Sequence, residues 1–224
     1  MSYSERNLLA AEYDSLRDER QVHLDKLKGL IVASGVMPEG GCFYNHNSFD
    51  DHPSLKTKQL NLFWVGKQAT TSICEIGFNA GHSAMVMLLG RERTPLQLTV
   101  FDIGTHPYTR PCMKYIESQN PEVKIEYVEG DSINTLPAWL SKNRSKRGTY
   151  DVVHVDGGHY ELCISNDMRN ADQLVRVGGL IVVDDTNMDF IDKHVDRYLS
   201  TGNYTELEIV LAEGYRHRII QKLR

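Results

Sequence analysis

Asp184 and Asp185 end the stretch GGLIVVDDT (178–186), in which a glycine pair and four apolar residues run straight into two adjacent carboxylates. Acids follow the earlier apolar runs as well: Glu75 in EIGFNAGHS, Asp102 in FDIG, Asp131 in GDS and Asp156 in DGGHY. Carboxylates brought together repel one another unless protons or a cation intervene. Hard divalent cations such as Mg²⁺ take oxygen ligands of this kind and keep several waters. Each acid also has a plainer use, since Asp, Ser and Thr cap helix N-termini. That alternative stands for Asp185 or Thr186 and for Asp131 or Ser132. His159 follows Asp156 by three residues; its free pKa near 6.5 suits a general base at neutral pH, and it can equally cap the helix that follows.

Gly77 and Gly81 form a G-x-x-x-G loop, not the G-x-G-x-x-G of dinucleotide binders. Such glycines let the chain turn sharply and let a ligand approach the backbone, while a helix beginning near His82 offers free N–H groups. Glu75, two residues before Gly77, disfavours a pyrophosphate and favours a ligand with a cationic or neutral polar group. Asp102 lies 25 residues beyond Gly77, placed to accept from two ribose hydroxyls. His154, inside an apolar run, reads as a satisfied interior histidine. His46, Asp50, Asp51 and His52 read as turn formers in a solvated loop, with a second metal cluster as the alternative.

These residues need a scaffold that brings strand ends together. Apolar runs at 72–77, 96–102, 124–130, 150–156, 179–185, 205–212 and 216–223 predict seven strands. Helical patterns such as GHSAMVMLLGR and YELCISNDMRNADQLVR separate the first five, which predicts a parallel α/β sheet covered on both faces. Only EGY separates the last two strands, too short for a crossover, so the final strand should be antiparallel. In such sheets ligands sit outside the carboxyl ends of the strands, where the order reverses.

Before residue 70 the chain is helical. Leu8, Leu9, Tyr13, Leu16, Arg20, Leu24, Leu27, Leu30 and Ile31 recur at spacings of three and four, an amphipathic helix reaching about Val32 that could serve as a docking face or a homodimer seam. A loop at 34–53 carries Phe43, Tyr44 and Phe49 and is expected to act as a substrate lid, followed by a helix over Leu55–Gln68. Residues 1–70 thus form a helical appendage and 71–224 the sheet domain. The 224 residues carry a net charge of −5, which offers no broad cationic surface for nucleic acid. No apolar run approaches the roughly 20 residues of a membrane span. Four scattered cysteines and no recognisable signal peptide predict a cytoplasmic, reducing compartment.

CEIGFNAGHSA, TVFDIG, VEGDS, YDVVHVDGGHYE and RVGGLIVVDDT together resemble the successive motifs of class I S-adenosylmethionine-dependent methyltransferases. The resemblance implies a Rossmann-like seven-stranded, mostly parallel sheet with an antiparallel last strand and helices on both faces. It implies that Glu75, Gly77, Gly81 and Ser83 surround the methionine part of the cofactor, with Asp156 nearby, that Asp102 holds the ribose, and that Asp131 and Ser132 border the adenine. The acids further resemble those of metal-dependent O-methyltransferases of the catechol and caffeoyl-coenzyme A type and of the macrocin and cephalosporin type. That implies Mg²⁺ or a similar cation on Asp156, Asp184 and Asp185, with Asp156 and His159 as the catalytic pair. His159 stands where the catechol group has a lysine base. The implied reaction is in-line methyl transfer to a small hydroxylated molecule. Metal-independent transfer to nitrogen or a macromolecule, and nucleoside binding without turnover, are the alternatives.

Overall fold

Seven short strands form one sheet in the computed structural model, which describes residues 1–50, 52–92, 95–209 and 217–224. They are β1 (Ser72–Ile76), β2 (Leu96–Asp102), β3 (Val123–Glu129), β4 (Tyr150–Val155), β5 (Val175–Val183), β6 (Tyr204–Glu206) and β7 (Arg218–Lys222), in the order β3-β2-β1-β4-β5-β7-β6. The first five are parallel, and β7 runs antiparallel to both β5 and β6, as expected of the last strand. Among the described residues the strand expected at 205–212 is confined to Tyr204–Glu206; residues 210–216 of the expected final strands lie outside them. Strand order reverses between β1 and β4, so both strands open onto one crevice at their carboxyl ends.

Alternation along each strand splits the core into two layers. Ile73, Leu98 and Val100 face one side with α4 (His82–Gly90) and α5 (Thr109–Gln119). Cys74, Ile76 and Phe101 face the other with α6 (Ser132–Lys142), α7 (Glu161–Leu174) and α8 (Asp189–Ser200). The N-terminal helices α1 (Tyr3–Ser15), α2 (Arg17–Ala33) and α3 (Lys56–Gln68) join the first layer.

The single N-terminal helix expected up to Val32 is two helices, broken at Leu16. Ser15 Oγ turns back onto the Glu12 carbonyl (2.6 Å), and Arg20 donates to the Tyr13 carbonyl (2.7 Å) while its guanidinium lies 3.9 Å over the Tyr13 ring. These side chains satisfy carbonyls that a continuous helix would have used, so the break costs little. Leu9, Tyr13, Leu24, Leu27 and Ile31 are buried in this chain's own core, so these positions of the apolar stripe serve internal docking. Burying each such side chain contributes about 2 kcal/mol. Gly66 in α3 sits against the Met87 carbonyl, where a Cβ would come within 2.0 Å, so the α3–α4 crossing depends on that glycine. Among the described residues no helix is long and apolar enough to cross a membrane.

Candidate active site

The carboxyl ends of β1, β2, β4 and β5 surround a cavity of about 630 Å³. Gly77, Ser83, Asp102, Asp131, Ser132, Asp156, His159, Asp184 and Asp185 all line it, so most of the residues expected from sequence share one space. The 34–53 loop supplies another wall through Gly40–His46, and Cys42, Phe43 and Tyr44 are buried, with Tyr44 packed edge-on against the His82 ring at 5.4 Å. Phe43 and Tyr44 of this loop pack on His82 at the start of α4, and Phe49 packs on Tyr44.

The first loop is fixed from outside. Asp102 Oδ2 accepts from the N–H groups of Phe78 and Asn79 (2.8 Å each), and its Oδ1 accepts from Gly104 (2.7 Å). Asp102 is thus a clamp for the glycine loop as well as a cavity residue. Gly77 has φ 89°, and a Cβ there would lie 1.8 Å from the Asp156 carbonyl oxygen. A glycine is demanded there by the close approach of the chain leaving β1 to the chain leaving β4. Gly81, at φ 77°, starts α4 without a side-chain cap and does not line the cavity. Asp131 caps α6 by accepting from Ile133 N–H (3.0 Å) and lines the cavity with Ser132.

Glu75 departs from expectation. It is fully buried behind the wall, accepting from Ser83 Oγ (2.5 Å) and lying 3.1 Å from His154 Nδ1. Its burial follows from its place on the central strand β1, between Val100 and His154 of the neighbouring strands. His154 is only half satisfied, since its Nε2 has no partner among the described residues. Burial opposes the charge of His154, but the bond to Glu75 and the charges of Asp156 and Asp184 carry its pKa upward.

The acids at 156, 184 and 185 form two overlapping groups. One ligand atom from each of His154, Asp156 and Asp184 lies within 4.8 Å of the others, and the same holds for Asp156, His159 and Asp185. Asp156 belongs to both; the expected trio of Asp156, Asp184 and Asp185 does not close as one cluster among the described residues. The reason is the backbone: Asp185 has φ 52°, which turns its carboxylate from the direction of Asp184 toward His159, whose Nε2 is 2.8 Å away. His159 therefore pairs with Asp185, and that bond raises its pKa against the opposing effect of burial. Burial and the nearby Asp184 charge push Asp156 well above the usual carboxylate range.

Asp184 itself faces inward to Lys58, whose ammonium bonds Asp184 Oδ2 with both side chains buried. Burial works against both charges, yet each partner outweighs it, raising the pKa of Lys58 and lowering that of Asp184. Sequence reading missed Lys58. Its signal was a lysine on the buried stripe of α3, three residues after Leu55 and four before Leu62. Around the loop residues, His46 bonds the Glu39 carbonyl and His52 lies 2.5 Å from Ser54 Oγ; no metal-ligating cluster forms there among the described residues, which exclude Asp51.

Residues 74–186 match the family model described as a methyltransferase domain. No curated protein sequence matches the chain. Among solved structures, an O-methyltransferase from Bacillus cereus in complex with SAH aligns with a TM-score of 0.63 at 17% identity, covering 91% of each chain. A protein from Corynebacterium glutamicum aligns with a TM-score of 0.61 at 15% identity, covering 96% of this chain and 98% of its own. A Klebsiella pneumoniae protein assigned as an O-methyltransferase aligns with a TM-score of 0.57 at 17% identity over 90% of each chain. At these identities the likeness establishes the fold.

Proposed function

Because the chain belongs to the methyltransferase-domain family and is an S-adenosylmethionine-dependent methyltransferase, we propose that it methylates a hydroxyl group of a small molecule with the help of a divalent cation. The observation that carries this reading is the meeting of Asp156, Asp185 and His159 in the cavity that the glycine loop also lines. The O-methyltransferase assignments of the Bacillus and Klebsiella neighbours agree with it.

When bound, S-adenosylmethionine supplies an electrophilic methyl group on a sulfonium. The clamped 77–83 loop and Asp102 fix its place, with Asp131 and Ser132 at the adenine end; Glu75 acts from behind by orienting Ser83. Asp156 and Asp185 would hold the cation, two carboxylates being a donor set that suits Mg²⁺ with its retained waters, and the cation would lower the pKa of an acceptor hydroxyl. Asp185 orients the His159 ring through Nε2, which leaves Nδ1 as the atom to take the acceptor's proton. The packed 40–46 wall keeps bulk water from the acceptor, and holding both reactants in line supplies much of the rate. Four free cysteines suit a reducing, cytoplasmic setting.

A second reading, transfer without a metal, is favoured by the Lys58–Asp184 pair, since the protein already places one cation among these acids. Incubating the full chain with methyl-labelled S-adenosylmethionine and a panel of catechols and polyols tests the choice. The leading reading expects label on a hydroxylated acceptor, lost with a chelator and restored by Mg²⁺. Transfer indifferent to the chelator favours the second, and labelled nitrogen or macromolecule would exclude the first.

A further inference from the structure

Two groups of potential cation ligands share Asp156, and the Lys58 ammonium bonds Asp184 in one of them. We propose that the Lys58 ammonium is the resident cation of an inner site built from His154, Asp156 and Asp184, and that it confines divalent ions to the outer site at Asp156 and Asp185. The inference deepens the reading above, on which it rests for the outer site alone.

The inner group has the form of a metal site. Its three ligand atoms lie within 4.8 Å of one another, the spread expected of donors around a common ion. His154 is fully buried, and its Nδ1 faces Glu75, so Nε2 is the nitrogen left for the group, an orienting arrangement of the kind carboxylates give to metal-binding histidines. That Nε2 and Asp184 Oδ1 are buried without a hydrogen-bond partner among the described residues. Two buried polar atoms left open beside a carboxylate pair mark a place where a cation with more ligand capacity than an ammonium fits.

Lys58 takes that place from the opposite element. It projects from α3, part of the N-terminal segment, and reaches across the first core layer to Asp184 at the end of β5. With side-chain exposures of 7% and 2%, the pair is not a surface ornament: removing either partner strands a charge in the interior. An ammonium cannot exchange with solvent ions, so the inner site keeps one positive charge permanently while the outer site stays open to the cavity. The same lysine ties α3 to the end of β5, while its neighbour Gln59 ties α3 to the rest of the N-terminal segment, donating to the Cys42 carbonyl (2.8 Å) and accepting from Tyr13 OH (2.8 Å).

The test counts Mn²⁺ bound per full-length chain by electron paramagnetic resonance, without any activity assay, in the wild type, Lys58→Ala and the Lys58→Ala, Asp184→Asn double variant. Truncation to alanine leaves room for an ion and its waters. Lys58→Ala is expected to bind one more Mn²⁺ than the wild type, and the double variant to return to the wild-type number. If Lys58→Ala is too unstable for titration, Mn²⁺ should raise its Tm by about 4 °C or more beyond any rise in the wild type. A folded Lys58→Ala protein with the wild-type number, or a Tm rise no larger than the wild type's, overturns the proposal. A wild type that binds no Mn²⁺ while Lys58→Ala binds one upholds the inner site and removes the outer one; one ion in each does the reverse.

Discussion

Asp184 and Asp185 are neighbours in sequence that serve opposite sides of the site: Asp184 is locked inward on Lys58, and Asp185, turned by its positive φ, reaches His159 at the cavity rim. A double acid at a strand end is thereby divided between an interior ion pair and a partly buried group that lines the cavity.

That division predicts opposite phenotypes for the same substitution at adjacent positions. Asp184→Asn strands the Lys58 charge and should cost about 3–5 kcal/mol of stability. Asp185→Asn disturbs only a pair with a largely exposed partner and should cost no more than about 1 kcal/mol while abolishing most of the methyl transfer. Urea denaturation of both variants checks this, and equal stability losses would contradict it.

Asp102 should show a mixed effect. Asp102→Asn keeps one acceptor oxygen but cannot receive all three backbone N–H groups, so the variant should fold, lose about 1–3 kcal/mol and bind S-adenosylhomocysteine at least about tenfold more weakly. Calorimetric titration and thermal melting measure the two parts. Unchanged affinity with reduced stability would leave Asp102 a clamp alone.

Gly77→Ala should be far worse than Gly148→Ala, although both glycines have positive φ. A Cβ at 77 meets the Asp156 carbonyl, whereas one at 148 meets nothing within 4 Å. The expected costs are more than about 3 kcal/mol at 77 and about 1 kcal/mol at 148. Denaturant midpoints compare them directly.

At the far end of the sheet, Asp151 accepts from the N–H groups of Thr70, Thr71 and Ser72 (2.6–3.1 Å) and from Arg176 Nε (2.6 Å). Burial opposes its charge, but the Arg176 bond and the backbone donors bring its pKa down to about 2. A carboxyl depressed by folding stabilises the protein above its unfolded pKa near 4, and that contribution is lost as pH falls toward 2. Asp151→Asn should therefore be about 2 kcal/mol less stable at pH 7, with the gap narrowing between pH 4 and pH 2 in parallel melting curves.

The sheet was legible because apolar runs and crossover helices carry their own periodicity, and the site was legible because its acids sit where strands end. What escaped were features set by tertiary geometry. The helix break at Leu16 depends on Arg20 reaching the Tyr13 carbonyl. Glu75 looked like a rim residue, but the central position of β1 buries it. The parting of Asp184 from Asp185 is a single backbone rotation, and Lys58 comes from a helix 126 residues away from its partner, a separation over which no local pattern speaks.

Titrating Mg²⁺ by calorimetry into the protein saturated with S-adenosylhomocysteine, beside the same titration of Asp185→Asn, tests the central claim most directly. One ion per wild-type chain and none in the variant, with the nucleoside bound equally by both, is the predicted result. No Mg²⁺ uptake by the wild type, or undiminished uptake by Asp185→Asn, would contradict a cation-assisted site at Asp156 and Asp185.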